Sequence, residues 1–223
     1  VSRIARIVIP EWPYHVTHRG NNKQPIFYDE EDIERYIRLV RVYKSKWNCK
    51  ILGYSLMPNH IHLLIVPSEN PGLAKAMQGI SLCYAQDFNR RYKRTGRLWE
   101  ARYFSSIIDR DHYFWAVVRY IDWNSVRAGL VKKPEVYKWS SAKVHMLGIE
   151  DPLVNPLDLE EYGEQSQYDE YLENQGSEKE IRIIKSMTKK GLPIGSIEFQ
   201  RFIEAKTERK LIRKMGRPSK IRT

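Results

Sequence analysis

"KILGYSLMPNHIHLLIVP", Lys50 to Pro67, is the stretch that decides the fold. Two apolar runs flank Pro58-Asn59, a tight-turn signal. So short a link joins antiparallel strands, because parallel neighbours need a crossover of about a dozen residues or more. Alternate residues of a strand share a face. His60 and His62 therefore project together, while Ile61 and Leu63 face the core. Two adjacent imidazoles form a natural pair of metal ligands. They also suit a solvent-facing strand edge, and only further donors separate the two readings.

Working outward, "YHVTHRG" reads as a strand ending at Gly20, followed by a polar turn. Asp29 is placed to cap a helix running from Glu30 to about Trp47. Its apolar positions Ile33, Tyr36, Ile37, Val40, Tyr43 and Trp47 repeat at helical spacing. Pro71-Gly72 opens a second helix with Leu73, Met77, Ile80, Tyr84 and Phe88 on its core face. "LWEARYFSSIID" reads as a further strand. A third helix spans about Arg110 to Ala128 and stops at Gly129. This order predicts an α+β domain, an antiparallel β-sheet with helices packed on one face in the manner of a split βαβ unit.

That domain is expected over residues 1–150. From Asp151 to Glu180 the chain carries ten acidic residues and one Lys, which suggests a linker leading into a helix. Residues 181–223 reverse the charge. They read as two short amphipathic helices around a Gly-Pro-Gly turn, resembling a helix-turn-helix, and then a basic tail.

The third helix supplies candidate donors. Tyr120 and Asn124 stand four residues apart and share a face. Asn brings four hydrogen-bonding sites to an apolar stripe, and a metal would satisfy its oxygen. A tyrosine at that spacing is otherwise an ordinary core aromatic.

Composition points to an anionic partner. Lys and Arg number 38 against 27 acidic residues, a net charge of +11, with 14 Tyr and 6 Trp. Positive charge interleaved with rings suits nucleic acid. Cys49 and Cys83 form no CxxC, which excludes a zinc ribbon and fits a reducing cytoplasm. No run approaches the roughly 18 apolar residues of a membrane span. A Walker motif or Gly-rich phosphate loop is also absent.

Several blocks carry a resemblance. "MPNHIHLLI" resembles the His-hydrophobic-His motif of HUH endonucleases. "HVTHRGNNKQPIF", "YSLMPNHIHLLIVP", "GRLWEARYFS" and "RYIDWNSVRAGLV" resemble, in order and spacing, the blocks of REP-associated tyrosine transposases of the IS200-like kind. "GLPIGSIEFQRFIEA" and "GRPSK" are similar to the C-terminal part of longer members. The resemblance implies a ferredoxin-like HUH nuclease fold with His60, His62 and Asn124 as metal ligands and Tyr120 as nucleophile. It implies a Mg²⁺ or Mn²⁺ cofactor and cleavage through a 5′-phosphotyrosine link that leaves a free 3′ hydroxyl. The implied partner is single-stranded DNA beside a hairpin or palindromic repeat, in a bacterial, nucleoid-associated setting, with no small-molecule substrate. Monomer and homodimer both stay open. One departure stands out: Ser125 occupies a position where relatives usually carry Pro.

Candidate DNA contacts are Arg19, Asn21, Asn22 and Lys23 after the first strand. Arg90, Arg91, Lys93, Arg94 and Arg97 follow along a basic stretch, with Arg102 in the next block. Arg217 lies in a tail that resembles a minor-groove hook. Each is equally an ordinary solvated charge. A catalytically idle single-strand binder on the same fold, and a hydrolytic nuclease independent of Tyr120, are the competing readings.

Overall fold

The structure is a computed structural model and describes residues 8–111, 113–157, 162, 174–208 and 210–211. Its centre is an antiparallel sheet of β1 (Tyr14–Arg19), β2 (Cys49–Met57), β3 (His60–Pro67) and β4 (Phe104–Ile107) in the order β2-β3-β1-β4. Every neighbouring pair is antiparallel. Two crossover helices, α1 (Glu30–Lys46) and α2 (Gly72–Arg91), return the chain between strands that are not neighbours. This is the split βαβ arrangement that the tight Pro58-Asn59 turn predicts.

α1 starts where the Asp29 carboxylate accepts from the Asp32 amide. α1 and α2 cover one sheet face, with Ile61, Leu63 and Ile65 packed among Tyr36, Val40, Met77, Ile80 and Tyr84. The helices approach closely at Gly79, where a Cβ would stand 1.9 Å from the Tyr43 ring. The expectation of helices on one face holds for these two.

The opposite face is also covered. α3 (Phe114–Asp122) is buried on all sides between β2, β3 and α6 (Glu178–Lys190). This explains its nearly unbroken apolar sequence. The single helix expected over 110–128 is in fact two. Trp123 adopts φ −78° and ψ 2°, and α4 (Asn124–Arg127) begins after it. Ser125 thus lies in the first turn of a helix, where the Pro of relatives would forfeit no ladder bond. The expected strand over 98–109 is shorter too: Phe104–Ile107 pairs with β1, and Trp99 only bridges Gly20.

α5 (Ala142–Leu147) sits beside β2 through Ser141 and His145. The two expected C-terminal helices are α6 and α7 (Ile197–Thr207), separated by Gly191 in the left-handed region. The connection between them bridges the β4 edge through Ile194 and Ile108, covering backbone groups that an edge strand leaves open. α6 is tied to α3 by a 2.6 Å Arg119–Glu180 ion pair. α6 therefore packs on the sheet, against β4 and β1. Both cysteines are free. Among the described residues no helix is long and apolar enough to cross a membrane.

Candidate active site

The inter-strand register sets the site. β3 places His60 and His62 on the face shared with Leu64 and Val66, and β1 pairs Thr17 with His62 and Arg19 with His60. The imidazoles of His60 and His62 lie with ring centroids 5.0 Å apart. β1 adds a third, His15, stacked on His62 at 5.1 Å. α3 delivers Tyr120, whose ring stands edge-on to both His62 and His15 at 5.5 Å. Asn124 begins α4, and its Nδ2 lies 3.5 Å from His60 Nε2. The four residues expected to assemble, His60, His62, Tyr120 and Asn124, are together.

The hydrogen bonds fix the histidine protons. Asn59 Nδ2 donates to the Lys23 carbonyl, so its Oδ1 accepts from His60 Nδ1 at 2.6 Å. His60 Nε2 is left bare. On the other imidazole, His62 Nδ1 lies 2.8 Å from His15 Nε2, turning Nε2 of His62 toward the cleft side of the ring. Burial, reinforced by Arg19 and Lys185, pulls the His60 pKa down to about 4. Burial, reinforced by His60 and His15, holds His62 well below the usual histidine range. Both are neutral at pH 7 and can offer lone pairs.

These residues fit a divalent cation. Each imidazole has its Nδ1 committed to a neighbour and its Nε2 unprotonated, the His60 Nε2 accepting a long bond from Asn124 Nδ2, and ligating histidines usually have their other nitrogen committed in this way. Asn124 turns its Nδ2 toward His60 here, and a flip of the amide would present its oxygen instead. Among the described residues no group of three or more His, Cys, Asp or Glu is placed to hold a metal. A two-imidazole, one-amide set leaves the rest of the shell to water or substrate oxygens, as Mg²⁺ and Mn²⁺ tolerate.

Tyr120 is buried, and burial raises its pKa while Arg127 opposes the shift. The Arg127 guanidinium lies 4.5 Å over the Tyr120 ring and donates to the Tyr120 carbonyl across the break at Trp123. Two residues beyond Tyr120, Asp122 is fully buried. Its carboxylate accepts from His145 Nδ1 at 2.7 Å and from Ser141 Oγ at 3.0 Å, while His145 Nε2 donates to the Leu52 carbonyl. Both ring nitrogens of His145 donate, so this ring is an imidazolium. Burial alone would lower its pKa, but Asp122 outweighs burial and the net shift is upward. The pair anchors the end of α3 to β2.

A cleft of about 510 Å³ opens over the histidines and Tyr120. Arg19, Phe104, Lys185 and Lys189 line it. A larger cavity, about 720 Å³, lies on the other side of the 96–103 segment, where Trp99 stacks on His18 at 3.9 Å. It contains none of the four assembled residues, so chemistry rather than size identifies the site.

The expected DNA contacts divide. Arg19 lines the cleft and pairs with Glu100 at 2.7 Å. Asn21, Asn22 and Lys23 form a single 3-10 turn just beyond it, beside the turn that precedes His60. Arg97 and Arg102 border the larger cavity instead. Lys93 is exposed, and Arg90 is exposed beside Asp87. Arg91 and Arg94 have intramolecular tasks. Arg91 binds Asp29, Glu31 and Asp32 at the start of α1, and Arg94 donates to Gln24 while covering Phe88. Arg217 lies outside the described residues.

Sequence reasoning missed His15, Phe104, Arg127, Lys185, Thr188 and Lys189. Signals for some were present. His15, Thr17 and Arg19 share strand parity, Arg127 stands two helical turns after Tyr120, and Lys185, Thr188 and Lys189 repeat at i, i+3 and i+4.

A split βαβ sheet presenting paired imidazoles to a helix-borne tyrosine defines a class that also has a sequence signature. Residues 9–124, just over half of the chain, match the IS200-like transposase family, and the chain belongs to that family. A solved REP-associated tyrosine transposase bound to a REP hairpin is similar in fold. The TM-score is 0.56 and the identity 17%, covering 71% of this chain and 93% of that one. A Deinococcus radiodurans protein described as a transposase is a weaker likeness, with TM-score 0.39 and 12% identity over 58% of this chain and 98% of its own. No curated protein matches.

Proposed function

We propose that this chain is a metal-dependent single-stranded DNA endonuclease and strand transferase that cuts beside hairpin or palindromic DNA through a covalent 5′-phosphotyrosine. One observation carries the reading: the Tyr120 ring abuts His62 while His60 and His62 hold bare Nε2 atoms on the same face, with Asn124 alongside. Membership of the transposase family supports it, as does the hairpin bound by the structurally similar enzyme.

In this reading Tyr120 Oη attacks the scissile phosphorus. The new O–P bond replaces the bond to the 3′ oxygen, which leaves as a free hydroxyl after taking up a proton, and the phenol proton passes to solvent. The bond energy is kept in the covalent link, so religation needs no nucleotide cofactor. A buried phenol with a raised pKa is a poor nucleophile by itself. His60 Nε2, His62 Nε2 and the Asn124 oxygen would hold Mg²⁺ or Mn²⁺. When bound, that cation favours the phenolate and offsets charge on the phosphate oxygens. Arg127 holds the Tyr120 backbone and ring in place, and the buried His145–Asp122 pair fixes the helix end beneath it. Arg19, Lys185 and Lys189 meet the DNA backbone in the cleft, and the half-exposed Phe104 offers a ring to an unpaired base.

A labelled hairpin oligonucleotide with a single-stranded flank, incubated with Mn²⁺ and run on a denaturing gel, tests this. Wild-type protein yields a protein-linked band, and Tyr120→Phe abolishes it. Tight binding with no such band identifies an idle binder. Cleavage that survives Tyr120→Phe identifies a hydrolytic nuclease.

A further inference from the structure

We infer that Thr188, on a helix beyond the family-matched segment, is a positioning residue for the candidate metal ligand His62, acting through His15. This inference rests on the metal-dependent reading above. It is carried by a chain of four hydrogen-bonding groups whose direction the geometry fixes.

Thr188 Oγ1 donates its only proton to the Ile184 carbonyl at 2.8 Å, one helical turn back. The same oxygen lies 2.8 Å from His15 Nδ1. With its proton committed, it accepts there, so His15 carries its proton on Nδ1. A neutral imidazole has one N–H, so His15 Nε2 is bare. That bare nitrogen faces His62 Nδ1 at 2.8 Å and must receive a proton from it. His62, which lines the cleft, is thereby held as the Nδ1–H tautomer with its Nε2 unprotonated, the form that binds a cation.

The chain is enclosed. His15 is 1% exposed, His62 3% and Thr188 3%, so water does not compete for these bonds. In so dry a setting each unpaired nitrogen would be costly, and the polarity of the chain is correspondingly strict. His60 reaches the same tautomer by a different, local route through Asn59. His62 alone depends on α6. The family match ends at Asn124, so the residue that sets this tautomer belongs to a part of the chain the match does not cover. α6 is therefore a wall of the site as well as packing for the sheet.

The test uses the full-length protein with ¹⁵N-labelled histidine. Long-range proton–nitrogen correlation on metal-free wild type should show His62 and His15 both protonated at Nδ1. Mn²⁺ affinity, measured from the free-ion EPR signal, should weaken about 10- to 100-fold in Thr188→Val, the effect usual for an outer-shell partner. Thr188→Ser, which keeps the hydroxyl, should restore it. A wild-type His62 protonated at Nε2 overturns the inference without any variant, so it stays falsifiable if Thr188→Val misfolds. Unchanged Mn²⁺ affinity and His62 tautomer in folded Thr188→Val also overturn it. If the tautomers and affinities behave as stated but wild type never captures the hairpin oligonucleotide, the relay stands and the cleavage reading falls.

Discussion

The two faces of the sheet are built from the same strands and held by different physics. On the α1/α2 face, β3 contributes Ile61, Leu63 and Ile65 to a dry apolar core. On the α3/α6 face the same strand contributes Leu64 and Val66 to a smaller apolar cluster and then gives way to His62 and His60. The first face is held by area removed from water. The second places polar groups at its open end and keeps them ordered with directed bonds. Strand parity keeps the two apart, since a one-residue slip would exchange them.

That contrast is broken most sharply by neighbouring substitutions in β3. Leu63 is fully buried, and Leu63→Ala should cost about 2–5 kcal/mol of stability through lost transfer energy and a residual cavity. His60→Ala removes a partly buried ring at the cleft. It should abolish covalent capture of the hairpin oligonucleotide while moving the denaturant midpoint far less. Parallel urea unfolding and gel assays on the two variants read both effects. If His60→Ala unfolds the protein as readily as Leu63→Ala, the division of labour between the faces is wrong.

The second face also rests on charge. Its buried His145–Asp122 pair holds α3 to β2, where the sheet side of the first face carries a mainly apolar core and a neutral Ser81–His18 hydrogen bond. The folded pKa of His145 is raised above its ordinary value, burial being outweighed by Asp122. Its stabilising contribution is therefore complete below the unfolded pKa of about 6.5 and is lost as pH rises through the folded value. His15, His60 and His62 are shifted downward and act oppositely in acid. They cancel when wild type is compared with His145→Gln. The melting-temperature difference between these two proteins should be largest on the acid side of that window and shrink toward alkaline pH. A difference that is flat with pH would mean the ring is not charged in the fold.

What the sequence made legible follows the same division. The β2–β3 turn, the Asp29 cap, the helical stripes of α1 and α2 and the parity of His60 and His62 are local, with periods of 2 and 3.6 readable in a short window. Tyr120 and Asn124 were legible for the same reason, and even the break at Trp123 leaves Asn124 beside His60. The rest was hidden by distance along the chain. His15 meets His62 across 47 residues and Thr188 across 173, and no local pattern announces either bond. The division of the basic stretch was hidden too. Arg90 and Arg91 are adjacent, but only Arg91 points at the acidic start of α1, and that depends on how two helices dock.

This last difference gives the smallest and most selective prediction. Each lysine that meets a phosphate in single-stranded DNA contributes about 0.7 to the slope of log affinity against log salt. Lys185 and Lys189 are exposed in the cleft, so Lys185→Gln and Lys189→Gln should each flatten that slope by about 0.7 and leave the melting temperature nearly unchanged. Arg91 has the same charge, but its guanidinium already faces Asp29, Glu31 and Asp32. Arg91→Gln should leave the slope alone and lower stability, because Asp32 is 1% exposed and loses its cation. Fluorescence anisotropy over a salt series, paired with thermal melts of the same three variants, separates the outcomes. A flattened slope in Arg91→Gln would place DNA along the α1/α2 face and move the binding surface to the other side of the sheet.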